Sequence, residues 1–145
     1  MGARVIAAVA VSAVVVATAA NPASPAKPKT VVCGQIKAGP HVTYTTLVSH
    51  QKLSGSTWTV FATGVPCAKA LSTAPSILRG WAKTAIGHVL FAGSGFTCTK
   101  ESDGHGSAGS SGCAYNGPDH GLDNIELIMT GPYGVAQLKA LYGIG

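Results

Sequence analysis

Four cysteines constrain the fold of this chain more than any other sequence feature: Cys33, Cys67, Cys98 and Cys113. An even number of cysteines in an exported chain predicts disulfide bonds, because oxidation persists outside the cytoplasm. Zinc is the alternative partner for the thiols. The sequence contains no C-x-x-C pair of the kind that thiolate zinc sites use, so we expect two disulfides.

The pairing of the cysteines is the next question, and sequence alone allows three connectivities. We favour Cys33 with Cys67 and Cys98 with Cys113, because the second pair closes a short loop. Closing a loop of about 15 residues stabilises a fold by about 3 kcal/mol through the unfolded chain. The intervening polar stretch, CTKESDGHGSAGSSGC, is therefore predicted to be a stapled loop and not an active site.

The first twenty residues have the pattern of a secretory signal peptide. Arg4 supplies a positive charge, residues 5–16 are apolar except for Ser12, and Ala17-Thr18-Ala19 is a small-x-small cleavage site. The competing interpretation is a membrane anchor, but the apolar run is shorter than the roughly 20 residues that a bilayer core requires. We expect residues 1–20 to be removed and the mature protein to be secreted, without a transmembrane span.

The remainder divides into a short linker and one domain. Residues 21–29, NPASPAKPK, contain three prolines and two lysines but no large apolar side chain, which is typical of an extended linker. Residues 30–145 are long enough for a single domain that buries roughly two-thirds of its unfolded surface.

Strand patterns dominate the first part of this domain. Residues 31–37, 42–48 and 57–63 are rich in β-branched and aromatic side chains, which favours strands. Ser54-Gly55-Ser56 is predicted to be the turn between the second and third strands, which makes these two a hairpin.

The pattern after Pro66 is helical, since apolar residues recur three or four positions apart: Leu71, Ala74, Ile77, Leu78 and Trp81. Pro75 lies inside this run and lacks an amide donor, so we expect a kink or two short helices. Gly87 is predicted to end the helical region.

Further short strands, separated by glycine-rich turns, are predicted in HVLFAGSGFTCTK, GCAY and NIELIMT. In the last of them, Ile125, Leu127 and Met129 alternate with more polar positions. The tail YGVAQLKALYG predicts one more short helix. The fold class is therefore α+β: a disulfide-stapled antiparallel sheet of about five strands packed on one interrupted helix.

A family resemblance supports the same compartment and fold. The segment TGVPCAKAL, then GSGFTC, then a last cysteine before a terminal strand, resembles a small cysteine-paired module of exported actinobacterial proteins. The resemblance covers residues 33–129. That group has no general biochemical function, so the resemblance implies no catalytic residues.

Charge is distributed unevenly along the chain. Between Asn21 and Lys100 there are eight basic residues and no acidic one, whereas Glu101 to Gly145 contains five acidic residues and Lys139 as the only basic one. A basic surface attracts anionic partners, so we expect an anionic cell-envelope polymer or lipid headgroups as the partner. The alternative is a solvated face whose lysines are scattered. Nucleic acid is excluded as a partner by the lack of a basic run or an aromatic platform motif.

Candidate metal ligands cluster in the acidic half, on glycine-rich loops: Asp103, His105, Asp119, His120 and Asp123. Carboxylates suit hard cations, and two histidines with a carboxylate suit zinc. The competing interpretation is that Asp, His and Gly occur here because turns tolerate them. No EF-hand spacing, H-E-x-x-H, G-x-S-x-G or phosphate-binding loop is present.

These observations favour a non-catalytic, monomeric exported domain without a cofactor, which binds an envelope component through its surface and lacks a deep polar pocket. The first alternative is a small extracellular metal-binding protein or enzyme that uses the loops within residues 103–123. The second is a secreted protease inhibitor that presents the loop between Cys98 and Cys113.

Overall fold

The computed structural model describes residues 26–47, 49–116 and 122–142. The predicted signal peptide and most of the predicted linker lie outside these residues. The first strand begins at Thr30, the position at which the sequence predicts the folded part to start.

The described residues form an α+β fold, as predicted. Its elements follow the chain in this order: β1 Thr30–Ile36, β2 Val42–Thr45, β3 Lys52–Gly55, β4 Trp58–Thr63, α1 Cys67–Arg79, a 3₁₀ turn Trp81–Lys83, β5 Val89–Gly93, β6 Phe96–Glu101, β7 Ser110–Tyr115, β8 Asn124–Met129 and α2 Val135–Tyr142. Six strands form one sheet in the order β1-β4-β8-β7-β6-β5, with antiparallel neighbours. The sheet has one strand more than the roughly five expected.

The predicted hairpin between residues 42–48 and residues 57–63 is wrong, because the second of these segments is β4. β2 pairs instead with β3, in a separate two-stranded sheet that runs from Val42 opposite Gly55 to Thr45 opposite Lys52. The reason lies in β4, whose first five residues are buried. A strand covered on both faces belongs in the middle of a sheet, and β4 lies between β1 and β8.

The main core lies on one face of the six-stranded sheet, beneath α1. Trp58 and Val60 of β4 and Leu127 of β8 point to this face and are fully buried. Trp58 also meets Trp81 edge to face, with 4.6 Å between ring centroids. Such aromatic pairs contribute about 1 kcal/mol beyond the area that they bury.

Helix α1 is a single helix that contains Pro75, so the predicted interruption is confined to one missing hydrogen bond. The predicted end at Gly87 is also wrong: α1 stops at Arg79, and only a 3₁₀ turn follows. Pro75 and Leu71, whose carbonyl oxygen loses its donor, are both exposed. Water can donate to that carbonyl, which explains why the helix continues through the proline.

We call the opposite side of the six-stranded sheet the outer face. Alternation along the strands places Glu126 and Ile128 of β8 on it, together with Ser110 of β7 and Glu101 of β6. Leu138 of α2 is 2% exposed and packs on the same side of the protein as these residues. The β2–β3 hairpin covers a further part of the outer face.

Two disulfides connect the elements, with the pairing favoured from the sequence. Cys33 of β1 bonds to Cys67 at the start of α1, and Cys98 bonds to Cys113 across the β6–β7 pair. The first therefore ties the main helix to an edge strand. The second joins two residues that the strand register already places opposite each other.

Within the described ranges, none of the helices is both long and apolar enough to cross a membrane.

Candidate ligand-binding cavity

A cavity of about 730 Å³ opens over the outer face of the sheet. Its walls are the β2–β3 hairpin, the loop of residues 101–110 and the start of α2, and its floor is formed by β7 and β8. The lining is mainly apolar, with Leu53, Ile128 and Leu138 among its side chains. Cavities that bind small molecules have this size and character. The sequence predicted only that a deep polar pocket is absent, and it gave no indication of this mainly apolar cavity.

Long-range hydrogen bonds hold the hairpin above the sheet. The Tyr44 hydroxyl donates to the Met129 carbonyl oxygen over 2.8 Å, and the Tyr133 hydroxyl donates to Gln51 Oε1 over 3.3 Å. Tyr44 also lies so close to Gly109 that a Cβ there would be 2.1 Å from its ring. Glycine at this position permits the close approach of the hairpin to the sheet.

The segment before α2 is held to the sheet by polar side chains. Gln35 Nε2 donates to Thr59 Oγ1 over 3.1 Å and to the Tyr133 carbonyl oxygen over 2.9 Å. Thr59 Oγ1 also lies 2.7 Å from Thr130 Oγ1. These bonds hold Tyr133 at the cavity rim.

Two glutamates are neighbours on the floor of the cavity. Glu126 lies directly opposite Gly112, and a Cβ at Gly112 would be 2.4 Å from Glu101 Oε1. The carboxylate of Glu101 therefore extends over Gly112 towards Glu126. Ser110 Oγ donates to Glu101 Oε2 over 3.3 Å and helps to hold it there.

The electrostatic consequence appears at Glu126, which is half-buried between Phe61 and Gly112. Burial raises the pKa of the Glu126 carboxyl, and the negative charge of Glu101 raises this pKa further. Ionisation of Glu126 therefore carries a free-energy cost. A cation beside it removes part of that cost.

Asp103 lies at the cavity rim, but its carboxylate is used by the backbone. Oδ2 accepts from the Thr45 amide over 2.9 Å, and Oδ1 accepts from the amides of His105 and Ser107 over 2.7 and 3.1 Å. The Thr45 bond contributes most to lowering the pKa of Asp103; the other two amides and the charge of His105 lower it further, against the effect of burial. Asp103 thus ties its loop to β2.

The five predicted metal ligands are not brought together as far as the structure describes them. Asp103 and His105 precede β7, whereas Asp123 lies beside its other end, where the Tyr115 amide donates to the Asp123 carbonyl oxygen. At about 3.3 Å per residue, β7 separates the two ends by about 17 Å. Asp119 and His120 lie outside the described residues. Among those that are described, no group of three or more His, Cys, Asp or Glu residues is arranged to hold a metal ion.

The basic residues of α1 and its surroundings lie across the sheet from the cavity. Arg79 and Lys83 are exposed on that side. Lys100 is engaged: its Nζ donates to the carbonyl oxygens of Trp81 and Thr84 over 2.7 and 2.9 Å. Burial lowers the pKa of Lys100. The predicted contact of a basic surface with an anionic envelope polymer or lipid headgroup stays a prediction.

Sequence reasoning missed Glu101 and Glu126 as site residues. One signal was present, because the alternation in NIELIM places Glu126 on the face opposite Ile125 and Leu127. The cover over that face was not visible in the sequence. It depends on contacts such as Tyr44 with Met129, which are 85 positions apart.

Comparison of the chain with protein-family models, with curated proteins and with solved structures finds no match.

Proposed function

We propose that this protein is an exported, non-catalytic domain that binds a small, mainly apolar ligand in the cavity over its outer face. The observation that carries the proposal is the cavity itself, about 730 Å³ in volume and bounded by the sheet, the hairpin and α2. Burial of an apolar ligand body against its lining supplies the binding free energy, at roughly 25 cal/mol per Å² removed from water.

The geometry favours binding over the metal-dependent or catalytic alternative. Asp103, the most buried of the described candidate ligands, already accepts three backbone hydrogen bonds. Asp123 lies at the far end of β7. The polar groups on the cavity floor include no serine or cysteine paired with a histidine, within the lining that the structure describes.

Export is supported by the two disulfides and by the signal-peptide pattern of residues 1–20. The resemblance to cysteine-paired exported modules agrees with an extracellular location. An extracellular binding domain of this kind sequesters or carries its ligand outside the cell.

Fluorescence of Nile red, a neutral apolar dye, tests the proposal on the oxidised protein. We expect the dye to bind the wild-type protein and to be lost from an Ile128→Trp variant, which places an indole on the cavity floor. Val89→Trp is the matched control, since Val89 is an exposed strand residue outside the cavity. The proposal is refuted if the dye fails to bind, or if both tryptophan variants bind it as the wild type does.

A further inference from the structure

We infer that the ligand carries a primary ammonium or similar cationic group on its apolar body, and that Glu126 is the side chain that selects for it. This inference rests on the proposed function, because it concerns the same cavity. It follows from the combination of an apolar enclosure with a charge of one sign on its floor.

The charge of the cavity is the first step. Glu101, Asp103 and Glu126 all line it, and no Lys, Arg or His is among the described lining residues. Asp103 is occupied by backbone amides, which leaves the two neighbouring glutamates to face the cavity. An anionic ligand would meet uncompensated negative charge, whereas a cation meets charge of the opposite sign.

The position of Glu126 is the second step. It stands on β8, with the buried ring of Phe61 opposite on β4 and Gly112 opposite on β7. Phe61 offers no charge, and Gly112 offers no side chain. The carboxylate of Glu101 approaches across Gly112, so a single ammonium with three donors can contact both carboxylates and relieve their repulsion.

The apolar lining is the third step, and it determines the rest of the ligand. Ile128 follows Glu126 on the same face of β8, and Leu53 of the hairpin and Leu138 of α2 also line the cavity. An ammonium held at Glu126 therefore places an attached hydrocarbon chain among these side chains. A purely polar polyamine leaves this surface unsatisfied and is disfavoured.

Three ligands with the same chain test the inference: octylammonium, octanol and octanoate, each competing with Nile red at pH 7.5. We expect octylammonium to bind about tenfold more tightly than octanol, which matches the usual strength of a hydrogen bond to a charged group. Octanoate should bind more weakly than octanol. The Glu126→Gln variant should reduce the preference for octylammonium over octanol to below about threefold.

Asp123→Asn is the matched control, because it removes the same charge outside the cavity lining, three positions along the chain and about 10 Å from Glu126. It should keep the full preference. Glu101→Gln should reduce the preference by less than Glu126→Gln, since Glu101 is exposed and bonded to Ser110.

The possible failures are distinguishable. If none of the three octyl compounds displaces the dye and the dye itself does not bind, the proposed function fails. If all three bind equally, if octanoate binds most tightly, or if Glu126→Gln keeps the preference, the cavity remains a site but the inference about the cation is overturned.

Discussion

The two disulfides differ in loop length and in burial, and the structure predicts how these two contributions to stability combine. Cys33 and Cys67 are 34 positions apart, whereas Cys98 and Cys113 are 15 apart. The chain-entropy relation gives about 3.8 kcal/mol for the longer loop and about 3.0 kcal/mol for the shorter one. Loop length alone therefore predicts that loss of the first bond is more damaging.

Burial offsets this difference. Cys98 and Cys113 are 0% and 1% exposed, whereas Cys33 and Cys67 are only half-buried. Each buried sulfur replaced by hydrogen costs about 1 kcal/mol in lost burial and packing. At half that cost for each half-buried sulfur, we expect the C98A/C113A and C33A/C67A variants to lose similar amounts of unfolding free energy, about 5 kcal/mol each.

Urea unfolding of the oxidised variants, followed by tryptophan fluorescence, measures both values. Trp58 and Trp81 are buried in the core and report its exposure. A larger loss in C33A/C67A, by the 0.8 kcal/mol that loop length alone predicts, would refute the reasoning from burial.

Three further predictions concern single residues near the cavity. Because the pKa of Glu126 is raised above the ordinary 4.5, wild-type stability falls as pH rises from 4.5 through that raised pKa. The Glu126→Gln variant should therefore melt at a higher temperature than the wild type at pH 8 and at the same temperature near pH 4. Equal melting temperatures at both pH values would contradict this prediction. Because the pKa of Asp103 is lowered below 3.8, its contribution to stability is present above that pH and is lost as pH falls through the lowered value. The Asp103→Asn variant should melt at a lower temperature than the wild type at pH 7, and this difference should disappear in acid. A difference that stays constant with pH would contradict the prediction. The Gly109→Ala variant should lose about 1–3 kcal/mol of unfolding free energy in urea, because the added Cβ meets the Tyr44 ring. Gly134→Ala is the control, since the nearest atom to a Cβ there is 3.8 Å away, and it should not lose stability. Equal losses in both variants would exclude the Tyr44 contact as the cause.

Local patterns predicted much of the fold. The alternation of Ile125, Leu127 and Met129 predicted which face of β8 is buried, because side chains along a strand point to opposite faces. Cysteine spacing favoured the observed pairing among three possible ones, because Cys98 and Cys113 are close in sequence. The structure places these two residues opposite each other in adjacent strands.

Features that depend on distant contacts were not predictable in the same way. The partner of β2 is decided by the burial of β4 between β1 and β8, which depends on segments far apart in sequence. Pro75 is tolerated in α1 because it faces solvent. The sequence alone did not show that Pro75 would lie on the exposed side of the helix. The cavity was missed for the same reason, since the hairpin that covers it is anchored by Tyr44 to Met129.

Backbone amide shifts in ¹⁵N NMR spectra test the central claim most directly, because they locate a bound ligand on the protein. During titration with octylammonium, the account predicts the largest changes at Gly112, Glu126 and Ile128, on the floor of the cavity, and little change along α1. Changes concentrated along α1, or spread evenly over the surface, would contradict the claim that the cavity over the outer face is the binding site.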